Sequence, residues 1–202
     1  IPAHSAPLSW EGVEVHATDD NGVATGNPLR AIDGDEETVW SGDKHDLTTR
    51  PTNYLMIFDE LTAIGSLGLL TDDLKGDLRL TAMEVYASVD GGWAHIGGIA
   101  GNEALRVTID LTPVRTEMLR LRIMDNARPD HAWPRIHELW LYPPAEGDET
   151  RSLRAGPVPN ESDAEKLFLD RVLGCVETIP EATFDPQIGY LGYVRCFMDT
   201  LI

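Results

Sequence analysis

Residues 105–124 read LRVTIDLTPVRTEMLRLRIM, and two pieces of this stretch decide the fold. In the first, Leu105, Val107, Ile109 and Leu111 alternate with residues that include Arg106 and Thr108. In the second, Leu119, Leu121 and Ile123 alternate with Arg120 and Arg122. A period of two belongs to a strand, because successive side chains on an extended backbone point to opposite faces. Each piece therefore predicts a strand with its aliphatic face on a core and its arginine face on solvent.

Runs of the same type recur on either side, at 13–18, 54–58, 64–71, 83–89, 93–99, 105–111, 118–124 and 136–142. The segments between them carry Asp-Gly, Gly-Gly and Asn-containing turns, which close hairpins and leave no room for βαβ crossovers. About eight short strands without intervening helices predict an all-β fold, an antiparallel eight-stranded jelly-roll β-sandwich over residues 1–144.

The composition then changes. Residues 145–161, entered through Pro143-Pro144-Ala145-Glu146-Gly147 and containing Gly156-Pro157-Val158-Pro159, read as an acidic, proline-rich linker. Residues 162–202 predict a short α-helical extension or the start of a further domain. Ser162 and Glu165 have capping-box spacing, and Ala164, Leu167, Phe168, Val172, Leu173 and Val176 recur at helical spacing. A second periodic stretch runs through Ile188, Leu191, Val194, Met198 and Leu201. Two amphipathic helices make a poor core alone, so they are expected to pack on the sandwich, on a second copy of the chain, or on a linked catalytic domain. Cys175 and Cys196 lie in this segment. They are too few for a disulfide scaffold and fit no zinc spacing, which leaves one disulfide or two buried thiols.

Charge narrows the partners. The chain has 34 acidic and 16 basic residues, a net charge of −18. Such a surface repels phosphate backbones and anionic membranes, so neither nucleic acid nor membrane insertion is expected. It favours cationic partners and divalent metals. No apolar run approaches the roughly 18 residues of a membrane span. Catalytic signatures are missing too: no His-Glu-x-x-His, phosphate loop, nucleophile elbow or dinucleotide fingerprint appears. Asp19-Asp20 reads as a solvated loop pair. A binding module is expected, with no catalytic residues.

One loop stands out for ion chemistry. In residues 27–40, Asp33, Asp35 and Glu37 fall two apart around Gly34, with Thr38 beside them. Hard oxygen donors at this spacing suit Ca²⁺, which takes six to eight oxygens; the alternative is an acidic turn beside a buried Trp40.

Three blocks together carry a family resemblance. They are Ala31-Ile32-Asp33-Gly34-Asp35 followed by Thr38-Val39-Trp40, then MEVYASVDGGW at 83–93, and finally LRLRI at 119–123 with IHELW at 136–140. In order and spacing they resemble the discoidin (coagulation factor type C, galactose-binding-like) domain, and the chain is similar to bacterial carbohydrate-binding modules. The resemblance implies a structural calcium site on the Arg30 carbonyl, Asp33, Asp35, Thr38 and Glu138, tying the two ends of the domain together. It also implies that ligand is held by loops at one end of the sandwich, at 41–53, 72–79, 90–93 and 125–135. The candidate ligand residues there are His45, Arg50, Asn53, Arg79, Asn126, His131, Trp133 and Arg135, with Arg128 beside them. Sugar recognition needs an aromatic face for the apolar side of the ring and planar polar groups for its hydroxyls. Trp133 with His131 and Asn126 has that chemistry; a rim or core tryptophan and solvated loop histidines are the plainer alternatives.

The sequence departs from the family where galactose binders commonly carry an arginine after the third of these strands: Asp72-Asp73 stands there, with Arg79 further along the loop. The cysteine clamp of eukaryotic members is absent, which points to a microbial module. The resemblance thus implies a non-catalytic carbohydrate-binding module with structural calcium. Such a module is accessory to a larger secreted glycan-active enzyme, and so extracellular or at the cell surface. The alternative is a protein–protein assembly module whose helical tail docks on a partner or makes a homodimer.

Overall fold

The computed structural model describes residues 6–18, 26–42, 46–71, 78–128, 133–161 and 166. His45, His131, Asp72-Asp73, both cysteines and the expected tail helices, Lys166 apart, lie outside the described residues. The chain divides into two compact units, Ile1–Pro159 and Asn160–Ile202. Among the described residues, every strand belongs to the first.

Seven strands build it: β1 Val13–Thr18, β2 Trp40–Ser41, β3 Thr52–Thr71, β4 Leu80–Val89, β5 Gly92–Ala100, β6 Arg106–Asn126 and β7 Arg135–Tyr142. Every pairing is antiparallel, in the order β2-β7-β3-β6-β4-β5, with β1 also on β3. All eight predicted runs fall on strands, Leu105 alone lying one residue ahead of β6. The count differs because β3 and β6 each absorb two runs, while β2 is too short to leave a periodic signal. β3 changes register between Ile57 and Thr62 and again between Ile64 and Ser66. Irregularities of this kind bend a strand and increase its twist. Its first half pairs with β1 and the second half of β6; its second half pairs with β7 and the first half of β6. One hydrogen-bonded sheet thus wraps into two layers, the jelly roll expected from the alternation. Between the layers lie Trp40, Tyr54, Ile64, Leu67, Met83, Val85, Leu119, Leu121 and Leu139, all fully buried.

The arginine face of residues 118–124 is not on solvent, contrary to the expectation from its alternation. Arg120 is 0% exposed and Arg122 is 3% exposed. Arg120 Nε donates to Asn53 Oδ1 at 2.8 Å, and its guanidinium lies 5.9 Å from the Tyr86 ring centre and 5.8 Å from that of Trp93. Arg122 Nη1 lies 3.4 Å from Glu84 Oε2. A buried polar layer satisfies the same period-two pattern as a solvated one, provided each charge finds partners. Arg106 and Thr108, on the first half of the strand, are exposed as expected.

Residues 145–159 run along the sandwich. Arg151 N donates to the Pro113 carbonyl at 2.8 Å, Leu153 packs against the core, and Gly156 N donates to the Trp93 carbonyl at 2.9 Å.

Candidate functional site

The loop between β1 and β2 is shaped locally before it meets the sheet. Asn27 caps a 3₁₀ turn, Pro28–Ala31, by accepting from Leu29 N, and Pro28 at the first helical position has its φ already set. Buried Tyr54 then donates its hydroxyl to the Pro28 carbonyl at 2.8 Å, and packs edge-on against Trp40 at 5.2 Å. Burial and, after it, the charge of Glu138 push the Tyr54 hydroxyl well above its ordinary pKa, so it stays a donor. Gly34 follows at φ +77°, a conformation costly for any residue with a Cβ. This turn aims its N–H at Glu138 Oε2 on β7, 3.0 Å away and 104 residues along the chain.

Oxygen atoms converge there. The Thr38 hydroxyl lies 3.2 Å from the Arg30 carbonyl, 2.9 and 3.1 Å from the two Asp33 carboxylate oxygens, and 3.1 Å from the Asp35 carbonyl. Asp35 presents its backbone to this centre, since its carboxylate accepts from Glu37 N. Glu138 is 1% exposed. Burial first, and the Asp33 charge among the other causes, raise its carboxyl to about 7, against the pull of the Gly34 N–H. Two carboxylates held together in this way favour positive charge between them, a proton or a cation. Among the described residues no three His, Cys, Asp or Glu side chains form a metal cluster. The donor set combines two carboxylates with carbonyl and hydroxyl oxygens, which fits a hard cation such as Ca²⁺ better than a transition metal. Around it, Arg106 pairs with Glu36 at 2.5 Å and stacks on Trp140 at 4.6 Å, while His137 Nδ1 lies 2.8 Å from the Glu36 carbonyl. These contacts pin the loop to β6 and β7.

The predicted ligand residues divide into three groups. Arg79, Asn126, Trp133 and Arg135 come together at one end of the sandwich. Thr71, closing β3, accepts from Leu80 N at 3.0 Å and lies 3.4 Å from the Arg135 carbonyl. Buried Asn126 donates to the Trp133 carbonyl at 3.3 Å and accepts from Arg128 N at 3.0 Å, so it fixes the β6–β7 loop from within. The Arg79 carbonyl accepts from Ala127 N at 2.8 Å, and its guanidinium binds the Glu103 carbonyl. Trp133 is 39% exposed, one of three large apolar residues on the described surface. Arg50 belongs to a separate turn before β3, where its N–H donates to the Asp46 carbonyl. The Thr48 hydroxyl bonded to Asp46 holds that carboxyl below its ordinary pKa. Asn53 lies inside the sheet, 1% exposed and bonded to Arg120. Its place next to a strand start gave it the look of a loop residue.

No protein-family model matches the chain, and no curated protein matches it. Solved structures do. CpGH89CBM32-5 from Clostridium perfringens, in complex with GalNAc-β-1,3-galactose, is 16% identical, with 68% of this chain and 99% of that chain covered at a TM-score of 0.55. The CBM32-1 and CBM32-2 domains of Clostridium perfringens ZmpB are 19% identical over 69% of this chain and 37% of that one, TM-score 0.57. Chitosan-binding module 1, derived from chitosanase/glucanase of Paenibacillus sp. IK-5, is 15% identical over 64% and 92%, TM-score 0.52. The chain thus spans nearly all of the first structure and little more than a third of the second. At these identities the likeness defines the fold: a galactose-binding-like β-sandwich, the jelly roll of CBM32 carbohydrate-binding modules.

Proposed function

We propose that the first unit is a non-catalytic carbohydrate-binding module that holds a larger secreted, glycan-active protein at its polysaccharide. The supporting observation is the rim. Trp133 is exposed, its carbonyl accepts from buried Asn126, and Arg79 and Arg135 belong to the same end of the sandwich. An aromatic face bounded by planar hydrogen-bonding groups is what a pyranose ring requires. Solved modules of this fold are described with GalNAc-β-1,3-galactose and as chitosan-binding, which supports the same reading here.

In this reading Ca²⁺ is held by the Arg30 and Asp35 carbonyls, Asp33, Thr38 and Glu138, and is structural. The bound ion would neutralise the two buried acids and tie the β1–β2 loop to β7, without taking part in any reaction. A glycan array probed in calcium-containing buffer tests the function. Binding to a defined glycan class is expected. Failure to bind any glycan, with folding intact, would overturn the reading and favour an assembly module instead.

A further inference from the structure

A second pocket, of about 340 Å³, lies on the β4–β5 hairpin and the segment after β7. Trp93, Tyr86 and His95 wall it from the strands, and Arg154 and Gly156 from that segment. Tyr86 and His95 meet edge-on at 5.3 Å, so the aromatic wall is fixed. Glu84 completes it. Its Oε2 accepts the Tyr86 hydroxyl at 2.7 Å and lies 3.4 Å from Arg122 Nη1, which orients the carboxylate and leaves Oε1 without a partner among the described residues. The His95 ring nitrogens and the Arg154 guanidinium likewise have no hydrogen-bond partner there, although Tyr86, Glu84 and Arg122 beside them are tied down.

The mixture of groups selects a ligand class. Glu84 disfavours an anion and Arg154 disfavours a cation. A neutral polyhydroxylated ring satisfies both, since a hydroxyl donates to a carboxylate and accepts from a guanidinium. Its C–H face would lie against Trp93 or Tyr86. The volume is at the small end of ligand pockets, room for one sugar unit and not for a chain.

We infer that this pocket is a second sugar subsite, with Glu84 Oε1 and Arg154 as hydroxyl partners and Trp93 as platform. It rests on the glycan-binding reading but not on the rim residues. Along β4, six residues separate Tyr86 from Leu80 at the rim, roughly 20 Å. Two subsites that far apart let one module grip two chains, or two points of one chain, and gain avidity from linkage.

The test is an NMR titration of the ¹⁵N-labelled full chain with galactose, N-acetylgalactosamine and glucose, reading the Trp93 and Trp133 indole N–H signals separately. Both are expected to move, with independent saturation curves. Arg154→Ala, at an exposed position, should weaken the Trp93 curve about tenfold, the worth of one hydrogen bond to a charged group; His95→Ala, also exposed, should weaken it less, and both should leave the Trp133 curve unchanged. Trp133→Ala should leave the Trp93 curve intact. If Trp133 responds and Trp93 stays still with every sugar, the second subsite is wrong and the rim reading stands. The subsite is equally wrong if Trp93 responds but neither variant alters its curve. Silence at both indoles overturns both.

Discussion

Arg120 and Arg106 stand on one strand in opposite circumstances. Arg120 is wholly buried, bonded to Asn53 and flanked by Tyr86 and Trp93; Arg106 is about half exposed, paired with Glu36 over Trp140. Removing Arg120 takes a hydrogen bond from the buried Asn53 amide oxygen and opens a cavity. Arg120→Ala should therefore cost about 2–4 kcal/mol. Arg106→Ala loses only a solvent-screened pair and a stacking contact, and should cost under about 1 kcal/mol. Urea unfolding of the two variants checks this. Equal losses would mean that burial of Arg120 does not decide its role. Gly68 shows the same dependence on neighbours: a Cβ there would come within 3.0 Å of Trp140 Cε3. The glycine leaves room for the Trp140 ring over which Arg106 sits.

At the scale of elements, period-two alternation located every long strand but not where strands join. Asp59-Glu60-Leu61, exposed and partly charged, interrupts the apolar pattern of β3. Yet the chain stays extended there, because this is the corner where the sheet turns from one layer to the other. Alternation also cannot tell a solvated face from a buried polar one, which is why Arg120, Arg122 and Asn53 were misplaced. Within the candidate ion site, Asp33, Asp35 and Thr38 could be read from spacing. Glu138, 104 residues from Gly34, could be reached only through the family pattern. That Asp35 contributes its carbonyl depends on a turn no spacing reveals. The proline-rich 145–159 segment carried no strand signal, since its contact with β5 is a single bridge, Trp93 to Gly156. Gly156→Pro removes that donor, and should lower stability by about 1 kcal/mol without changing the far-UV circular dichroism spectrum. No change in the unfolding midpoint would show that the segment is not anchored through this bridge.

For the molecule as a whole, an ion joining the β1–β2 loop to β7 closes a long loop in the native state alone. Calcium at a hundredfold excess over its Kd should stabilise the fold by about 2.7 kcal/mol, raising Tm by roughly 5–10 °C. Glu138→Gln should abolish that rise, and melting of a preparation shown metal-free by elemental analysis should fall by the same amount. A metal-free protein whose Tm ignores calcium would remove the ion from the account. Glycan capture at the end of the sandwich that carries Trp133 is the central claim. Affinity electrophoresis in polysaccharide gels, with calcium present, tests it most directly. The wild-type chain should be retarded by at least one polysaccharide, and Trp133→Ala should be retarded markedly less, keeping only the hold of the Trp93 subsite. Retardation that is unchanged by Trp133→Ala, or absent in every gel, would contradict a glycan site on this rim.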